Sequence, residues 1–172
     1  ELEAAAERLL EAERWLDPSD VRQGQLQLLA SGMAEEMVVV DQEQFRTLPA
    51  SVATARAYHA QAGGDIPGSV RYGQRALDLL PEDDYVRRGP AAALLGLAQW
   101  AGGDLEAAYR TLADAMAGFQ RAGSLHFALS VTSGLVEIRT VQGRLREAVK
   151  ASIQALQLAL AQGDPPLRGT AN

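Results

Sequence analysis

The side chains with the greatest capacity for chemistry are few and scattered. His59 and His126 are the only imidazoles and lie 67 residues apart. A metal site needs several ligands converging, often two of them one helical turn apart, and a histidine acting as base needs an orienting partner. Neither histidine has a cysteine anywhere in the chain or another histidine within a turn, so both read as ordinary helix-surface or turn residues. Glu35-Glu36 and Asp83-Asp84 are adjacent carboxylates, but neighbours on a helix point apart. They read as solvated charge. Ser130, Ser133 and Ser152 have no base at helical spacing, and no G-x-S-x-G occurs. Gly63-Gly64-Asp65 and Gly102-Gly103-Asp104 superficially resemble phosphate loops but lack the preceding strand and the third glycine. Lys150, the only lysine, follows Val149, which excludes the phosphate loop ending in Gly-Lys. No catalytic or metal constellation emerges, so the chain reads as a non-enzyme for which no cofactor is expected.

The elements that would carry any binding surface are helices. The 172 residues include 31 Ala and 24 Leu, both strong helix formers, against only 9 aromatic residues. Acidic side chains outnumber basic ones 22 to 16, for a net charge of −6, and the summed field repels a phosphate backbone. No nucleic-acid contact is expected. No apolar run reaches the roughly 18 residues that cross a bilayer, and Glu1, Glu3 and Glu7 stand where a leader would need positive charge. The expectation is a cytoplasmic chain with no membrane contact.

The strongest pattern is a repeat. Gly64-Asp65-Ile66, Gly103-Asp104-Leu105 and Gly143-Arg144-Leu145 start similar strings spaced 39 and 40 residues apart. Counting on from each glycine, apolar or small residues recur every three or four positions. They form the columns Ile66/Leu105/Leu145, Ser69/Ala108/Ala148, Val70/Tyr109/Val149, Ala76/Ala115/Ala155 and Leu77/Met116/Leu156. Such spacing is one stripe of a helix, predicted over 66–80, 105–122 and 145–162. A second apolar stretch precedes each glycine, over 49–62, 91–101 and 127–141. The glycine stops one helix in a left-handed conformation, and Asp65 and Asp104 cap the next. Each unit is therefore a helix, a tight turn and an antiparallel helix. The small-residue columns let the two backbones approach closely.

The predicted fold is an all-α, right-handed superhelical stack of antiparallel helix pairs, a single domain over 1–172. It divides into the second helix of a truncated repeat (1–16), a long loop or insertion (17–44), repeats at 45–83, 84–123 and 124–163, and a tail (164–172). Within the insertion, Asp41 and Gln44 are placed to cap a short helical turn. The stack is expected to be part of a longer array. Leu2, Leu9 and Leu16 on the first helix, and Ile153, Leu156 and Leu160 on the last, then lack covering neighbours, which predicts self-association.

The turn, the small-residue columns and the closing proline in Gly64-Asp65-Ile66…Ser69…Ala76…Pro81 resemble the tetratricopeptide repeat. With a period longer than the usual 34, the chain is similar to the helical region of the MalT-like, LuxR-type ATP-dependent transcriptional activators. The strings 75–84, 94–100 and 142–148 carry that likeness. The resemblance implies a regulatory arm between a nucleotide-binding switch and a helix-turn-helix domain, one that binds a small-molecule inducer or a protein partner on its concave face. A generic scaffold for protein–protein interaction is the alternative. In such repeats the first helix of each unit lines the concave face, which selects Tyr58, Trp100 and Glu137, with Gln61 and Thr140 at the same offset as Trp100. A mixed aromatic and polar stripe suits sugars, peptides or metabolites. The alternative is that Trp100 and Tyr58 only pack.

Overall fold

The computed structural model describes residues 2–16 and 41–161. Among these, every regular element is a helix: α1 (Leu2–Leu16), α2 (Gln42–Ala62), α3 (Ile66–Leu79), α4 (Tyr85–Ala101), α5 (Leu105–Arg121), α6 (Leu125–Val141) and α7 (Leu145–Ala161). Each packs on its neighbour in sequence from α2 onward, α1 packs on α2, and α2 also touches α4. The molecule is a stack of antiparallel helix pairs, as the periodicity predicts.

The turns show why. Gly64, Gly103, Gly123 and Gly143 have φ between 71° and 87°, a conformation glycine adopts at little cost. At Gly64, its N–H donates to the Gln61 carbonyl at 3.1 Å and the Asp65 N–H to the Ala60 carbonyl at 2.8 Å. This paired closure satisfies the last carbonyls of the helix. Asp65 then accepts from the Gly68 N–H at 2.9 Å, and Asp104 from the Ala107 N–H at 3.0 Å. One residue thus ends one helix and begins the next. The same closure at Gly123 joins α5 to α6, a turn outside the three-glycine series.

The second helices match the prediction within a residue, but the first helices begin earlier. Helix α2 starts at Gln42 rather than 49, α4 at Tyr85 rather than 91, and α6 at Leu125 rather than 127. Pro49 and Pro90 lie inside their helices instead of opening them. Proline removes only one intrahelical bond, and the carbonyl left over from Pro90 is that of Val86, an exposed residue. Asp84 supplies the true cap of α4, accepting from the Arg87 N–H at 3.1 Å. Asp41 accepts from the Gln44 N–H at 2.9 Å and opens the whole of α2, so residues 42–44 are helix and not loop. The rest of the expected insertion, 17–40, and the tail at 164–172 lie outside the described residues.

The core is built from small side chains. Ser69, Ala76, Ala91, Ala98, Ala108 and Ala128 are wholly buried. At the α2/α3 crossing the Ser69 hydroxyl donates to the Ala57 carbonyl at 3.1 Å, which requires near contact of the two backbones. Glycines inside helices do the same work. A Cβ on Gly96 would stand 2.7 Å from Leu112 Cγ, one on Gly89 2.7 Å from Phe119 Cε1, and one on Gly73 3.0 Å from Leu95 Cβ. The large residues that fill the remaining space, Leu112, Phe119, Leu135 and Ile138, sit where α4, α5 and α6 converge.

One buried charge ties the later helices together. Arg139 on α6 is 5% exposed and lies over the Tyr109 ring at 3.4 Å. It donates to Glu106 at 3.2 Å and Gln142 at 2.6 Å, with Glu147 Oε2 3.1 Å from its Nε. That Nε contact is an ion pair whose angle misses a hydrogen bond. Arg144 joins the cluster through Glu106 and Glu147, and its hydrogen bond to Glu147 raises its pKa further above the usual arginine value. Helices α5, α6 and α7 thereby share one network.

Ala108→Leu is expected to destabilise by about 1–3 kcal/mol, since the added carbons have no space at the crossing. An unchanged melting temperature would refute the crossing geometry. Arg139→Lys keeps the charge but loses the planar stack and the forked donors, and is expected to cost about 1–3 kcal/mol. Glu106→Gln, on a half-exposed side chain, should leave the melting temperature nearly unchanged, which denaturation of both variants side by side will check.

Candidate functional site

Helices α1, α2 and α4 enclose a groove of about 940 Å³. Helical spacing puts its lining on single faces: Ala4, Ala5, Arg8 and Leu9 on α1, Ser51, Thr54, Ala55 and Tyr58 on α2, and Val86, Arg87, Pro90 and Leu94 on α4. Ala50, His59 and Leu80 complete it. The volume falls within the range of small-molecule pockets, about 300–1,000 Å³.

The floor is apolar and the edge polar. Tyr58 is 64% exposed, so its ring stands over the groove as a contact surface. The Ser51 hydroxyl donates to the Thr47 carbonyl at 3.2 Å and the Thr54 hydroxyl to the Ala50 carbonyl at 2.9 Å. Their protons are engaged in the helix, and their oxygens are left as acceptors. Arg87 pairs with Asp84 at 2.8 Å. A second groove, about 530 Å³ between α3, α4 and α5, is lined by acids and bases together, Glu82 and Asp114 with Arg88 and Arg121.

The five residues selected from the sequence are not brought together. Tyr58 lines the larger groove; Gln61, Trp100, Glu137 and Thr140 do not. Trp100 is half-buried and packs on the α5/α6 cluster, its Cζ3 3.6 Å from where a Cβ on Gly134 would stand. Gln61 is half-buried with its Oε1 enclosed and unpaired. Glu137 is exposed, as is Thr140, whose hydroxyl donates to the Val136 carbonyl at 2.8 Å. The groove residues that sequence reasoning passed over are Arg8, Ser51, His59 and Arg87. For Ser51 a signal was present, because Ser51, Thr54, Ala55 and Tyr58 share one helical face.

Among the described residues, no cluster of His, Cys, Asp or Glu is placed to hold a metal, and no helix is long and apolar enough to cross a membrane. Fold and groove together define a helical-repeat scaffold, an architecture that is not typically catalytic. The family model described as the MalT-like TPR region matches residues 50–171, and the chain belongs to that family. No curated protein matches it.

Trp100→Ala is expected to lower stability by about 2 kcal/mol, less than for a fully buried tryptophan, whereas Tyr58→Ala should leave it almost unchanged. Equal melting temperatures for both variants would contradict the division between packing and groove residues.

Proposed function

We propose that the chain is the sensor and interaction arm of a LuxR-type, MalT-like transcriptional activator, binding an inducer or partner on the face formed by its first helices. The family match over residues 50–171 carries this reading. The groove supports it, because a helical-repeat scaffold with such a groove is suited to act by binding. Direct contact with nucleic acid is left to other parts of the regulator, in keeping with the net charge of −6. The arm acts in the cytoplasm, without membrane contact or cofactor, and is not an enzyme. Its domain plan is a run of repeat units.

One observation also favours protein contact. On α7, Leu145, Val149, Ile153, Leu156 and Leu160 are between 39% and 58% exposed and lie on one helical stripe. Exposed apolar surface of this kind supports association with a protein, including a second copy of the chain. On α1, Leu10 is the exposed leucine, while Leu9 turns into the groove. The side chains of Leu2 and Leu16 lie outside the described residues.

Ligand binding switches a regulator only when the ligand prefers one arrangement of the array. In the intact protein, Tyr58→Ala is expected to raise the inducer or partner concentration for half-maximal activation at least about tenfold, the loss of one good contact. Glu137→Ala, outside the groove, should activate normally. A normal response from the Tyr58 variant would remove the groove from the regulatory reading.

A further inference from the structure

We infer that the groove between α3, α4 and α5 receives a linear zwitterion, with an ammonium at one end and a carboxylate at the other, about the length of an extended tripeptide at roughly 10 Å. This site lies apart from the α1/α2/α4 groove and goes beyond the reading above, so each stands or falls on its own test.

Three helices build the groove. Helices α3 and α5 both lie against α4, and between them the floor is Gly89, Ala92, Leu95 and Gly118, all buried. Helix register then orders the charged rim. Gly89 meets Gly118 and Phe119, and Gly96 meets Leu112, so α4 and α5 run antiparallel with Arg88 level with residues 119–120 and Asp114 level with Ala93. Arg88 and Arg121 therefore stand at one end and Asp114 nearer the other. Gly73 meets Leu95, which brings Gln74 of α3 level with Asp114.

The basic end is preorganised. Arg88 Nη1 donates to the Leu77 and Leu80 carbonyls at 3.0 and 2.8 Å, which fixes the guanidinium and leaves Nη2 and Nε for a ligand. Arg121 lies over the Tyr85 ring at 5.0 Å. Arginine is suited to a carboxylate, because its planar fork grips the two oxygens with parallel hydrogen bonds. Glu82, exposed in the link before α4, also lines this end. It offsets one of the two positive charges and leaves the end cationic.

The other end offers acceptors. Gln74 Nε2 donates to Asp78 Oδ1 at 2.9 Å, so its Oε1 is left to accept beside the Asp114 carboxylate. An ammonium, with three donors and no acceptor, suits that pair. Among the described residues neither Asp114 nor Arg121 belongs to an ion pair, so both charges are open to a ligand. Their spacing sets its length. Asp114 and Arg121 are seven residues apart, two turns along one face of α5, or about 10.5 Å at 1.5 Å per residue. An extended chain advances about 3.3–3.6 Å per residue, so three residues span the interval and a single amino acid does not. The apolar floor receives the body between the two ends.

Isothermal titration of the 172-residue chain with Ala-Leu-Ala and with 8-aminooctanoate tests the inference and separates a peptide from a bare zwitterion. The comparisons are the N-acetylated and the amidated tripeptide, octanoate and octylamine, and free leucine as a short zwitterion. At least one of the two long zwitterions is expected to bind one to one, with loss of either charge, or shortening to leucine, weakening binding tenfold or more. Asp114→Asn should abolish the penalty for losing the ammonium, and Arg121→Gln should reduce the penalty for losing the carboxylate, each leaving the other penalty in place. Both side chains are exposed, and helical circular dichroism checks that each variant folds. Glu82→Gln should tighten binding, whereas Arg146→Gln, on α7 and outside the groove, should leave it unchanged. Equal binding of charged and capped ligands would overturn the charge assignment, and equal binding of leucine the spacing. An unchanged penalty in either variant would remove the ligand from this groove. Absence of binding by both long zwitterions also refutes the proposal, and none of these outcomes bears on the Tyr58→Ala activation result that tests the α1/α2/α4 groove.

Discussion

The distance between paired helix backbones is the constraint on which the rest of this structure depends. Where α2 crosses α3 and where α4 crosses α3 and α5, one of the two helices presents Ser or Gly. Ser69 donates across the α2/α3 crossing to the Ala57 carbonyl, and Gly96 leaves room for the side chain of Leu112. Close approach reduces the space that side chains must fill, which suits a core of small side chains in a chain with few aromatic residues. The same closeness makes each hairpin a thin slab whose faces must be covered by the next, so stability is shared between neighbours.

Where the stack needs more than close packing, it uses arginine. Arg88 donates from one amino group to the carbonyls of Leu77 and Leu80 at 3.0 and 2.8 Å, satisfying the end of α3, where no glycine supplies the turn. Arg139 reaches two carboxylates on other helices while its plane covers Tyr109. A buried cation is costly to desolvate, but both acids remain about half exposed, so this pair is only partly removed from water. It links α5, α6 and α7 through one side chain.

Much of the fold was legible because its signals are local. A glycine followed by a capping residue marks a turn without reference to the rest of the chain, and the column of Ser69, Ala108 and Ala148 marks each crossing. The starts of α2 and α4 were not legible from Pro49, half-buried, and Pro90, exposed, since proline is tolerated within a helix once packing covers its opposite face. The candidate site was legible only at Tyr58. Arg8 and Arg87 are 79 residues apart in the chain and share a groove because α1 packs on α2 and α2 on α4. Repeat periodicity treats α1 as a spare second helix and carries no information about that meeting. Trp100 stood at an equivalent offset to Gln61 and Thr140, yet glycine at position 134 draws it into packing, a pairing between units that no single repeat displays.

The link between α3 and α4 differs from the other joints in the stack. Helix α3 has 14 residues where its counterpart α5 has 17, and residues 80–84 bridge to α4 where three residues, 122–124, bridge α5 to α6. The shortening of three residues is close to one helical turn of 3.6, so the helix loses length while its apolar stripe keeps its direction. What the repeat copies is therefore the path from turn to turn, with the division of that path between helix and link left free. Leu80, at this joint, reaches the groove, and the cavity opens beside the one described unit in which that freedom has been used.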